Sequence, residues 1–268
     1  MMYFLSVILI GTVYPIFLDV ISSQKISVGP PFYHKLIIPF LIPFLFMMAI
    51  GPKLKWIKSQ LEDKIYLISF LIISILLAFL VLKNFNQNIL INTILISSAL
   101  YLFFITLRDF FIKKYKNISQ NIAHFGFSLL ILSILFNNLF ASEIITNLKV
   151  GETFENSKNK IVFESIDQKR EQNYNAIIAN FSISNSNGEE DRFSPELRIY
   201  NQPVIATSEA DIKTTLMSDK FIVINLVQNQ DFFNVRYQVK PFMLWIWLSV
   251  ILISVGGIVS FLKKKHEK

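Results

Sequence analysis

The chain has 268 residues and a net charge of +7, yet only 17% of its residues are charged and 53% are hydrophobic, where an ordinary soluble domain carries about 25% charged residues. It contains no cysteine, which excludes disulfides, thiolate metal sites, thioether attachment of a cofactor to this chain and thiol redox chemistry. The charge is split: residues 142–241 hold 11 basic and 14 acidic side chains, the remainder 15 and 5, a pattern of charge-driven membrane topology and not of nucleic-acid binding.

The apolar residues fall into six runs of near membrane-spanning length, at 1–18, 36–51, 65–82, 89–107, 121–141 and 242–262. None of these runs contains Asp, Glu, Lys or Arg. Met1 and Met2 lead straight into apolar sequence with no basic leader. That argues against a cleaved signal peptide and suggests a start where a longer protein would be in mid-course. The loop 19–35 carries His34 beside Gly29-Pro30-Pro31, a position that reads as a surface histidine. The second run is short and contains Pro39 and Pro43.

The connections alternate in charge. Twelve basic residues (Lys53, Lys55, Lys58, Lys64, Arg108, Lys113, Lys114, Lys116, Lys263, Lys264, Lys265 and Lys268) face three on the other side (Lys25, Lys35 and Lys83). By the positive-inside rule both termini lie inside and residues 142–241 lie outside. The expected organisation is therefore 1–141 with five transmembrane helices, 142–241 as an outer domain, and 242–268 as a sixth helix with a basic tail.

The outer segment reads as β. Short runs rich in Ile, Val, Phe and Tyr occur at 150–154, 161–166, 176–184, 197–206, 221–227 and 232–239. Turn-forming clusters at 156–159 and 185–191, the latter with Asn187-Gly188, separate the first of them. Six strands in this length predict a small sandwich or barrel. The fold class expected is an α-helical polytopic membrane protein with an inserted, outward-facing β-rich domain.

Chemistry has few carriers. Of three histidines, His266 sits in the charged tail and reads as solvated. His124 lies inside the fifth apolar run, near its inner end, and an ionisable residue there is a functional candidate by default. Asn121 and Ser128 share its helix face at i−3 and i+4. Ala123 and Gly126 are small enough to admit a bulky partner or another helix. A neutral imidazole so placed can present an axial ligand to heme, or it can hydrogen-bond across a helix interface. As an axial ligand it stands alone in this chain, so a second would come from another chain or another copy. Trp245 and Trp247 open the last run, where an aromatic belt is expected. The charge-free runs leave no proton relay or ion-coupling site of the usual transporter kind, and there is no Walker loop, zinc-type helix motif or nucleophile elbow.

Several stretches resemble, in order, the C-terminal portion of the CcmF family of heme lyase subunits. They are Gly11-Thr12-Val13-Tyr14-Pro15-Ile16-Phe17-Leu18-Asp19, Lys25-Ile26-Ser27-Val28-Gly29-Pro30-Pro31, Ile50-Gly51-Pro52 and Ala123-His124-Phe125-Gly126. Beyond these come Gly151-Glu152-Thr153-Phe154, Pro195-Glu196-Leu197-Arg198-Ile199-Tyr200, Glu209-Ala210-Asp211-Ile212 and Lys240-Pro241-Phe242-Met243-Leu244-Trp245-Ile246-Trp247, running into Gly256-Gly257.

The resemblance implies a protein that joins heme to apocytochrome c on the outer membrane face and holds a heme b between two transmembrane histidines. His124 stands at the second of those histidines. The family's tryptophan-rich heme-handling segment, its two outer-face histidines and its first transmembrane histidine belong to the N-terminal half and are not in this sequence. The chain thus looks like the C-terminal half of a CcmF encoded in two pieces, or a fragment of one.

The resemblance further implies an N-terminal half, other cytochrome c maturation subunits, apocytochrome c and a heme chaperone as partners. The setting would be a bacterial inner membrane, with the large domain periplasmic, or a mitochondrial inner membrane. Because His124 lies toward the inner face, its heme would relay electrons and would not be the heme transferred. The rival reading is a non-catalytic membrane assembly scaffold without heme.

Overall fold

The computed structural model describes residues 2–22, 26–54, 64–83, 85, 89–112, 118–157, 159–185, 188, 190–227 and 231–266, with the side chains of 264–266 excepted. Lys25, Lys55, Lys58, Lys113, Lys114, Lys116 and Lys268, part of the charge asymmetry, and Asn187 of the expected turn lie outside the described residues.

Among the described residues six helices are long and apolar enough to cross a membrane. They are α1 (Met2–Ser22), α2 (Pro30–Ile50), α3 (Lys64–Leu82), α4 (Ile89–Ile112), α5 (Ile118–Phe140) and α6 (Met243–His266). A 3₁₀ turn, Gly51–Lys53, continues α2. The helices outrun the apolar stretches that announce them. α2 begins at Pro30 because proline at the first helical positions needs no hydrogen-bond donor and already has a helical φ. His34 is therefore on a helix, not in a loop. α1 takes in Asp19, and α4 takes in Arg108 and Asp109, so the apolar runs are charge-free but the helices are not.

Two compact units divide the chain, one of Met1–Leu132 with Leu248–Lys268, the other Ser133–Trp247. In the first, α2 and α3 both pack on α4, whose residues from Leu95 to Leu102 are all buried. Three hydroxyls buried in the helices return to their own backbone, as apolar surroundings favour, whereas the buried Thr93 Oγ1 has no hydrogen-bond partner among the described residues. Ser74 donates to the Phe70 carbonyl at 2.7 Å, Ser98 to Leu95 at 2.7 Å and Thr106 to Leu102 at 2.8 Å. Gly11 lets α2 approach α1: a Cβ there would meet the Tyr33 hydroxyl at 2.7 Å.

The second unit holds two antiparallel sheets. One has the order β1 (Ser142–Leu148), β10 (Phe233–Pro241), β9 (Ser218–Leu226), β8 (Asp211–Thr214). The other runs β2 (Thr153–Glu155), β3 (Asn159–Arg170), β4 (Tyr174–Asn185), β6 (Glu196–Asn201), β7 (Val204–Glu209), with β5 (Glu190–Phe193) beside the end of β4. Both sheets feed one core, Ile161, Phe163, Phe181, Ile183 and Phe193 from one and Ile222, Ile224, Val235 and Tyr237 from the other. Phe163 stacks on Phe181 with ring centroids 4.4 Å apart. This makes the domain a sandwich.

Among the described residues ten strands replace the six expected, for local reasons. The run 197–206 is broken at Gln202-Pro203, where the chain turns between β6 and β7. β5 continues out of the polar cluster 185–191 as the second arm of a hairpin closed at Gly188, whose φ of 81° suits glycine. In β3 the register slips between Phe163 and Ser165, so Glu164 is an extra residue. The inward positions change parity there, from Ile161 and Phe163 to Ile166, as a bulge requires.

Candidate functional site

His124 lies six residues into α5, about 9 Å along the axis from the helix start. The face of α5 toward α4 is fixed by three contacts. Asn121 donates to the Asp109 carbonyl at 3.4 Å. Phe125 meets Phe103 at 5.6 Å and Phe110 at 5.9 Å between ring centroids. The Ser128 and Thr106 hydroxyls lie 3.0 Å apart. The face toward α6 is made by Ala123 and Gly126: a Cβ on Gly126 would stand 3.0 Å from the Ile253 nitrogen, and one on Gly256 2.8 Å from the Ala123 nitrogen. On the side of α2, Phe127 meets Phe44 edge-on at 6.1 Å.

His124 falls on the arc between Phe127 and Ser128, about 60° from one and 40° from the other at 100° per residue. It is half-buried. Among the described residues its imidazole has no hydrogen-bond partner, and the Asp109 carboxylate lies within electrostatic reach. The polar neighbours that share its face spend their groups on α4, and the small neighbours spend theirs on α6. Of the two uses open to Ala123 and Gly126, the structure has the second, a helix seated backbone to backbone. His34 stands on α2, away from any such cluster, and the His266 side chain lies outside the described residues.

One charged constellation was not legible in local pattern, where Lys53 and Arg108 count only as loop charges. Lys53, on the turn after α2, holds the Asp109 carboxylate through both oxygens, at 2.9 and 2.6 Å. Their side chains are only 6% and 15% exposed. The Arg108 guanidinium lies over the Tyr66 ring at 3.7 Å. The available signal was a lone Asp beside Arg at the end of the fourth apolar run.

No group of three or more His, Asp or Glu side chains gathers to hold a metal ion among the described residues. A metal whose equatorial positions are filled by a macrocycle needs only an axial donor, and His124 is of the right kind for that.

Six apolar helices among the described residues, with a β-sandwich inserted before the last of them, define the class as a polytopic membrane protein. Within that class the chain matches CcmF: residues 139–241 match the family described as the CcmF C-terminal beta-sandwich. The chain is 25% identical to the cytochrome c-type biogenesis protein CcmF of Pseudomonas fluorescens, over 98% of this chain and 42% of that protein. It is 22% identical to CcmF of Escherichia coli, with coverages of 98% and 42%, and 24% identical to NrfE of Haemophilus influenzae, with 97% and 42%. A solved cytochrome c heme lyase CcmF shares the fold with a TM-score of 0.69 at 18% identity, over 95% of this chain and 43% of that one. The chain spans about two fifths of the length of the curated relatives it matches.

Proposed function

We propose that the chain acts as the C-terminal half of a CcmF-type heme lyase, that His124 is one axial ligand of a transmembrane heme b, and that the protein so supports heme attachment to apocytochrome c. The observation that carries this is an imidazole within an apolar helix that has no hydrogen-bond partner among the described residues and that points away from the α6 contact. An ionisable ring in an apolar span gains from a partner, and coordination to iron would supply one. When bound, the heme would supply one-electron chemistry at its iron.

The chain's own residues orient and shield. Ser128 with Thr106 and Asn121 with the Asp109 carbonyl fix the rotation of α5, and so the direction of His124. Phe127 and Phe44 offer apolar surface beside it. The second axial ligand and the surface for vinyl thioether formation would come from the N-terminal half, with the heme chaperone and other maturation subunits as further partners. The β-sandwich would face the periplasm of a bacterial inner membrane, in keeping with the basic residues of the opposite connections.

The test is a reduced-minus-oxidised spectrum of the complex purified through a tag on this chain, for wild type and His124→Ala, at matched subunit yield. A b-type spectrum lost in the variant and present in wild type is expected. A spectrum unchanged by the substitution moves the ligand elsewhere. No heme in either sample, with the N-terminal half present, favours an assembly scaffold.

A further inference from the structure

We propose that the turn between β8 and β9 is a membrane anchor: Leu216 and Met217 insert into the bilayer interface beside the first turn of α6. The two side chains are 62% and 58% exposed and stand next to each other at the tip of a hairpin. The turn backbone is provided for. Thr215 N–H donates to the Ser218 carbonyl at 2.9 Å, and the Ser218 N–H to the Thr215 hydroxyl at 3.1 Å. The Leu216 carbonyl accepts the Trp245 indole N–H at 3.0 Å, and the Met217 carbonyl accepts the Phe242 N–H at 2.8 Å. A turn with its carbonyls occupied and its apolar side chains outward suits an environment that punishes open backbone groups.

The same two bonds set the depth. The apolar span begins at Met243, so a carbonyl held by the Trp245 side chain lies level with the entry of the span into the bilayer. Trp247, 63% exposed on that helical turn, marks the boundary at which tryptophans collect. The junction is braced. Phe242 has a left-handed φ of 61°, which a bulky residue adopts only when held. Its carbonyl accepts the Ile246 N–H at 3.1 Å and its ring meets Phe136 at 5.6 Å. The hairpin tip therefore cannot swing away from the start of the span without breaking these contacts. This inference is independent of heme and needs only that α6 spans a membrane.

The absence of cysteine makes the test clean. Single variants Leu216→Cys, Met217→Cys, Val204→Cys and Val255→Cys of the full chain, in its complex and reconstituted into vesicles, are labelled with an environment-sensitive fluorophore. Val204, 81% exposed on β7, reports water, and Val255, on α6, reports the span. At 216 and 217 the label is expected to emit further to the blue than at 204. It should lose most of the iodide quenching seen there and be quenched by lipids carrying a nitroxide near the headgroup. Iodide quenching equal to that at 204, or shielding from both quenchers through a covering protein, overturns the anchor. Iodide quenching at 255 as well would remove the span itself and the proposal with it.

Discussion

Gly256 sits against Ala123, the residue before His124, so closely that a Cβ on the glycine would lie 2.8 Å from the Ala123 nitrogen and 2.9 Å from the Ser119 carbonyl oxygen. α5 and α6 touch backbone to backbone beside the candidate ligand, in the manner of small-residue crossings in membranes. At the next residue, Gly257, an added Cβ would meet nothing within 4 Å among the described residues.

These adjacent glycines should part company on substitution. Gly257→Ala is expected to be neutral or to stabilise by up to about 1 kcal/mol through helix propensity. Gly256→Ala must push backbone atoms apart and should destabilise by about 1–3 kcal/mol. Thermal unfolding of the purified complex in detergent reads the difference; equal effects at both positions would deny the close crossing.

The Lys53–Asp109 pair predicts a compensation. Asp109→Asn leaves a nearly buried ammonium without its counter-charge, at a cost of about 3–5 kcal/mol. The double variant Lys53→Met with Asp109→Leu should recover most of that stability, since an apolar pair of similar volume is often as good as the ions it replaces. A double-mutant cycle on unfolding midpoints measures it, and additive losses would show that the two side chains act separately.

Tyr237, in the core between the sheets and near Phe193, has its phenol pushed up to about 12 from 10.0 by burial, with the Asp191 charge adding to the effect. The folded domain thus favours the protonated form. That contribution is complete below pH 10 and is lost as pH rises from 10 toward 12, a decline of about 2–3 kcal/mol. Spectrophotometric titration at the tyrosinate band should show a component near the upper end that Tyr237→Phe removes. The variant should also flatten the alkaline loss of stability.

Much was legible in local pattern. Runs of apolar residues near 20 long can only be buried in lipid or in protein, and an alternating apolar segment between charged turns can only be a sheet. These two facts set six helices and an inserted β domain. The rarity of an ionisable side chain in a span singled out His124, and a glycine after an asparagine marked the hairpin closed at Gly188.

What local pattern did not decide was who meets whom. Ala123 and Gly126 have room for a cofactor or a helix, and only the position of Leu252, Ile253 and Gly256 on α6 assigns that room to a helix. Lys53 and Asp109 are 56 residues apart, and each alone looks like a solvated loop charge. The slip at Glu164 and the break at Gln202-Pro203 arise where the strands must keep their apolar side chains on a shared core. Leu216 and Met217 look like ordinary turn residues until Trp245 and Phe242 fix them at the start of the last span. Hydropathy acts residue by residue and is readable from the chain alone, whereas packing, ion pairing and register depend on separations in space that only the folded structure sets.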